Sequence, residues 1–196
     1  MKKAIVIVAA VLAATAVIFS CTQTDAKATP ISQDSLVKRG AYLVTIMSCN
    51  DCHTPVKMGP QGPMPDPDRI LSGHPREVPV GKFDTATAKN YALFGMTGTS
   101  MVGPWGVSFA ANITSDETGI GNWDEEQFRR AFTHGKSKGL AEGRDLLPPM
   151  PWFNYTNIKD EDLKAIFAYL KSTKPVHNVV PGPIAPNEVG EYVIKK

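Results

Sequence analysis

Cys49-Asn50-Asp51-Cys52-His53 constrains this chain more than any other stretch. A C-x-x-C-H run sets two thiols two residues apart, with an imidazole directly after the second. Each thiol can form a thioether to a porphyrin vinyl group, and the histidine then lies under the ring, where a nitrogen can bind iron. The run implies one covalently attached haem c, held by Cys49 and Cys52, with His53 as proximal iron ligand. It also implies an extracytoplasmic destination, because covalent haem attachment in bacteria takes place there.

Other chemistries of the run need partners that the sequence does not supply. A redox dithiol belongs at the end of a strand in a βαβ pattern, and none surrounds Cys49. A structural zinc site needs four ligands, usually in close pairs, whereas His74, His134 and His177 are scattered singly. An iron–sulfur cluster needs four thiolates, and the chain has 3 cysteines.

The third cysteine follows an export signal. Lys2 and Lys3 precede an uncharged apolar run from Ala4 to Phe19, too short for the roughly 20 residues that span a bilayer. Ile18-Phe19-Ser20-Cys21 resembles a bacterial lipoprotein cleavage box. Met1–Ser20 is therefore read as a signal peptide and Cys21 as the acylated residue, with a tether through residue 33. An ordinary secretory signal or an uncleaved anchor is the alternative. More than one acyl chain on Cys21 would anchor the protein stably on the periplasmic side of a membrane. Lys2 and Lys3 account for the formal net charge of +2, so the mature chain has no basic field and no motif for nucleic acid.

Residues 34–181 read as one domain and 182–196 as a C-terminal tail. From Asp34 an apolar helical pattern (Leu36, Val37, Gly40, Tyr42, Leu43, Val44, Ile46, Met47) leads into Cys49. A glycine inside a helix costs about 1 kcal/mol relative to alanine, so Gly40 calls for a packing reason such as a close helix crossing. The candidate partner is Asp160–Thr173, where Leu163, Ile166, Phe167 and Leu170 share one face, Asn157, Asp160, Glu161 and Asp162 mark the start without naming the cap, and Pro175 lies beyond the end. Asp124 with Gln127 fits a capping box, Trp123 with Phe128 a hydrophobic staple, and Gly135 a C-terminal cap. Thr54 to Pro79 is crowded with Pro and Gly and Met96 to Gly106 is again Gly-rich, so the long stretch from Val56 to Val107 reads as irregular loop, ordered by covering part of the haem. The expected fold class is all-α, cytochrome c-like helices around one haem with long irregular loops.

Arg39-Gly40-Ala41-Tyr42-Leu43, Ala111-Asn112-Ile113-Thr114, Gly119-Ile120-Gly121-Asn122-Trp123 and Leu147-Pro148-Pro149-Met150-Pro151-Trp152 follow one another in this order. With the helix into C-x-x-C-H, they resemble a class I-type cytochrome c. The closer likeness is to bacterial cytochromes related to the haem modules of alcohol and gluconate dehydrogenase cytochrome subunits. The resemblance covers most of Val37 to Val180. It implies an electron carrier rather than an enzyme, exchanging electrons with a dehydrogenase, a terminal oxidase or another cytochrome. Those subunits usually carry several haem modules, whereas this chain has a single C-x-x-C-H.

The sixth iron ligand sets the chemistry. Met150 lies in a loop that Pro148, Pro149 and Pro151 stiffen, and the resemblance places the axial methionine there. His/Met ligation raises the potential and fills both axial sites, which suits outer-sphere electron transfer. Methionine also fills irregular cores, so packing alone is the rival role. Met96 and Met101 are the next candidates, Met58 and Met64 follow His53 too closely, and His74, His134 or His177 would give a bis-His iron. Asn112, Trp105 and Trp152 could donate to a haem propionate or simply pack. Asp66 and Asp68 hint at calcium but lack the EF-hand pattern, so a solvated turn is the reading. Lys57, Lys136, Lys138 and Arg144 either steer an acidic partner or are ordinary surface charge. The competing functions are a haem subunit docked to a dehydrogenase, a haem enzyme or sensor with an open distal site, and a lipoprotein with a chance motif.

Overall fold

The computed structural model describes residues 32–192. The signal peptide, Cys21 and most of the tether lie outside these residues. Five α-helices follow in chain order: α1 (Gln33–Ile46), α2 (Cys49–His53), α3 (Thr85–Asn90), α4 (Glu125–His134) and α5 (Asp160–Ser172). Among the described residues, no helix is long and apolar enough to cross a membrane.

α1 and α5 cross at Gly40. A Cβ built there would run into the Ala165 carbonyl and the Tyr169 Cβ, so hydrogen is the only side chain that this approach admits. The close crossing lets Val44 of α1 join Leu163, Ile166 and Leu170 of α5 in one core with Leu71, Ile120, Phe128 and Phe132. Arg39 pairs with Asp162 beside the crossing. α4 starts as its sequence suggests: Gln127 N–H donates to the Asp124 carboxylate at 2.7 Å. It ends at Gly135, in the left-handed region at φ 65°. The capping box is one-sided, because the Gln127 side chain donates instead to the Lys138 carbonyl at 2.9 Å.

The all-α expectation fails between residues 56 and 109. β1 (Val56–Gly59) and β2 (Gly62–Pro65) form a hairpin, while β3 (Leu93–Phe94), β4 (Ser100–Gly103) and β5 (Gly106–Phe109) form an antiparallel three-stranded sheet. Two turns have the same chemistry, Gly59-Pro60-Gln61-Gly62 and Gly103-Pro104-Trp105-Gly106, and in each the two glycines face each other across the ladder. Proline presets φ at the second turn position. The closing glycines take φ of 115° and 93°, which other residues adopt only under strain. Gly59, Pro60, Gly62, Gly103, Pro104 and Gly106, which read as irregular loop, make the turns between short strands.

A second core of Phe83, Ala88, Val102 and Val107 lies at this sheet. Ile184, Val189 and Tyr192, in the segment expected to be a tail, pack against it. Val107 and Ile184 exchange backbone hydrogen bonds at 2.9 and 3.0 Å, and Phe83 N–H donates to the Tyr192 carbonyl. The domain therefore extends well past residue 181. Near its start, the Ser32 hydroxyl accepts from Ser35 N–H and caps α1.

His74 is 1% exposed and stacks at a tilt on Phe109, with ring centroids 4.7 Å apart. Its Nε2 donates to the Val78 carbonyl at 3.0 Å and its Nδ1 accepts from the Thr99 hydroxyl at 2.9 Å. Burial pulls this imidazole below its ordinary value, against smaller opposing effects of the Val78 bond and the Glu77 charge. Below about pH 6.5 the unfolded chain therefore takes up a proton before the folded one, and stability falls as pH drops toward the folded value. His74→Gln should flatten the unfolding free energy over that window, as read from urea titrations at several pH values. At the helix crossing, Gly40→Ala should lower stability by about 1–3 kcal/mol, because the new methyl meets backbone that cannot step aside. A fall in the urea midpoint at constant slope would show it.

Candidate haem site

Ser48, in the left-handed region at φ 56°, breaks the helical path after α1 and starts α2 in a new direction. Cys49 and Cys52 therefore share one turn of a short helix, with His53 at its end. The two cysteines are not disulfide-bonded. Burial pushes the Cys49 thiol up to about 11, and burial also raises Cys52, with the Asp51 charge adding to both. A redox dithiol needs a depressed thiol, so the environment speaks against that chemistry.

His53 donates from Nδ1 to the Ala111 carbonyl at 2.7 Å. A carbonyl only accepts, so Nδ1 carries the proton and the Nε2 lone pair is left for a metal. Burial draws the imidazole below its ordinary value, and the Ala111 bond partly opposes this. The carbonyl is itself placed by neighbours. Gly73 N–H donates to the His53 carbonyl at 2.8 Å, His74 N–H to Ala110 at 2.9 Å, and Ile113 N–H to Leu71 at 3.0 Å. Gly73 fits between these segments because it has no Cβ to meet the Ala110 and Ala111 backbone. Leu71 is wholly buried and held at φ 61°, a conformation of order 1–3 kcal/mol above the usual ones. Thr54 secures it by accepting from Leu71 N–H at 2.9 Å while donating to Asn50 Oδ1 at 3.0 Å.

Met150 is half-buried and packs on the same helical core that receives Cys49. The other candidate methionines stand elsewhere: Met58, Met64 and Met96 are 72%, 43% and 87% exposed, and Met101 is buried within β4. Two free thiols on one turn, an imidazole with a free nitrogen and a thioether at the same core together fit a c-type haem.

The remaining candidates are placed differently. Asn112 is a clamp for the chain: its amide donates to the Val176 carbonyl at 2.8 Å and the Thr118 hydroxyl at 3.1 Å. Its carbonyl accepts from both the amide and the hydroxyl of Thr114, so the side chain has no group left for a propionate. The Trp105 indole N–H donates to Ser108 Oγ at 3.3 Å, and the Trp152 ring covers Gly135 where a Cβ would sit. The Trp105 donor is thus committed within its own hairpin, while the Trp152 ring packs on Gly135. His134 Nδ1 lies 2.9 Å from the Thr133 hydroxyl, and exposed His177 lies 3.4 Å from Asp116. Asp66 is held by Lys57 at 2.9 Å and accepts from Asp68 N–H, a turn rather than a cation site. Among the described residues, no group of three or more His, Cys, Asp or Glu could hold a metal ion. Lys136 pairs with Asp145 at 2.8 Å.

Nothing in the sequence pointed to Tyr155, which stands near both cysteines. It stacks on Phe132 at 4.6 Å and 6°, and Phe132 in turn stacks on Phe128. The Ala111 carbonyl was equally hidden, because any residue can supply a backbone oxygen.

No family model matches the chain. It is 42% identical over 85 residues to one subunit of the nicotinate dehydrogenase of Pseudomonas putida, covering 43% of this chain and 7% of that protein. It is 31% identical over 151 residues to the gluconate 2-dehydrogenase cytochrome c subunit of Pantoea cypripedii, covering 76% and 25%. It is likewise 31% identical over 142 residues to the fructose dehydrogenase cytochrome subunit of Gluconobacter japonicus, covering 71% and 22%. The chain thus spans about a quarter or less of the length of these curated relatives. The similarity to dehydrogenase cytochrome subunits supports a cytochrome c-related family for this chain.

Proposed function

We propose that this chain is a monohaem c-type cytochrome that carries single electrons outside the cytoplasm. The observation that carries the reading is the His53 ring: Nδ1 is committed to Ala111 and Nε2 is free, at the end of a turn bearing two unpaired thiols. Cys49 and Cys52 would hold the haem covalently, with His53 Nε2 and the Met150 thioether as the groups that would bind its iron. The bound haem supplies one-electron Fe(II)/Fe(III) chemistry.

The chain's own residues orient and shield. The Ala111 carbonyl fixes the tautomer and rotation of His53 and makes the imidazole a stronger donor. The Phe128, Phe132 and Tyr155 stack keeps the cysteine side apolar. No acid, base or nucleophile is required. The dehydrogenase names of the relatives favour a dehydrogenase as electron donor, either in passing encounters or as a standing subunit. Export by Met1–Ser20 and acylation of Cys21 would keep the carrier at a membrane surface.

The visible and near-infrared spectrum of the oxidised, haem-matured protein tests the ligation. The wild type should show a weak methionine–iron(III) charge-transfer band that Met150→Ala removes and Met96→Ala leaves in place. A wild type without the band that binds CO readily would point to an open distal site instead. Haem assay should give one covalent haem per chain, lost on joint replacement of Cys49 and Cys52 by Ala. Cys21→Ser should move the cytochrome from the membrane fraction to the soluble periplasmic fraction; unchanged fractionation would sink the lipid anchor.

A further inference from the structure

We propose that Ser108 is a positioning residue for Met150, tying the inserted sheet to the loop that presents the thioether. This rests on Met150 being the axial ligand. Residues 148–151 contain proline at three of four positions, so Met150 has the loop's one backbone donor. The loop can be gripped almost only through its carbonyls. Ser108, in β5 and 7% exposed, supplies such a grip: Oγ donates to the Pro148 carbonyl at 2.6 Å. A hydroxyl has one proton, and this contact is far shorter than the 3.4 Å to the Met101 carbonyl.

The same oxygen accepts from the Trp105 indole N–H at 3.3 Å, which polarises the hydroxyl toward Pro148. The Trp105 ring lies against Gly103, where any Cβ would meet it, so the indole is held back across its own hairpin. The chain Trp105 to Ser108 to Pro148 therefore ends two residues before the thioether. Upstream, Leu146 N–H is bonded to the Gly135 carbonyl at 2.6 Å, and downstream Trp152 is packed on Gly135. With both flanks fixed at the end of α4, the Ser108 contact decides how far the intervening Met150 stands from the haem motif.

The test is displacement of the methionine in the oxidised full-length holoprotein by added imidazole, followed by loss of the charge-transfer band. Ser108→Ala should be displaced at about fivefold lower imidazole than wild type, the order expected for one hydrogen bond. Ser108→Thr, which keeps the hydroxyl, should return to the wild-type curve, and Trp105→Phe should fall between. A Ser108→Ala curve superposed on wild type, or a Ser108→Thr curve equal to that of alanine, overturns the proposal. If Ser108→Ala yields no holoprotein, Trp105→Phe decides, and a wild-type curve there overturns it. A band absent from wild type, or one that survives Met150→Ala, instead removes the ligation reading and this inference with it.

Discussion

His53 donates to the Ala111 carbonyl at 2.7 Å, and the placement of that carbonyl is the work of other segments. Residues 71–74 lie between the haem helix and residues 110–113, bonded to both sides. Their own conformation is costly, with Leu71 left-handed and Gly73 pressed against backbone. Burial of Leu71 in the helical core offsets that strain; a fully buried leucine contributes about 1.5–3 kcal/mol. The orientation of one imidazole thus depends on the hydrophobic core through successive layers of chain. The short C-x-x-C-H motif acquires its geometry only when distant segments close around it.

The helices were legible because their signals are local. Asp124, Gln127 and Gly135 name the ends of α4, the 3.6-residue spacing in α5 names its buried face, and Gly40 announces the crossing for which α5 is the candidate partner. The sheet was not legible as sheet. Its strands are too short for alternation to emerge, and β4 is buried throughout. The signal that could have found it is the repeated Gly-Pro-x-Gly, present at residues 59–62 and 103–106 and pairing glycine with glycine in both places.

Side-chain roles divided along the same line. The grouping of Cys49, Cys52 and His53 on one short helix was readable because their spacing is local. Asn112 was not, because its partners Val176 and Asn178 lie more than sixty positions away. Asparagine and tryptophan carry donors that suit a propionate, yet a donor goes to whatever acceptor the fold brings first. For Asn112 and Trp105 the first acceptors are a backbone carbonyl and hydroxyls, and these two donors join segments of chain.

Asn178 binds the carbonyls of Ser72 and His74 from 106 and 104 residues away. Closure over such separations is slow compared with helix formation, because the entropy of a long loop must be lost before the contact repays it. The segment that frames His53 is thus completed by residues more than a hundred positions downstream. In a chain made from its N-terminus, Cys49–His53 precedes Asn178, and residues 72–74 gain their outer clamp only when that later segment arrives.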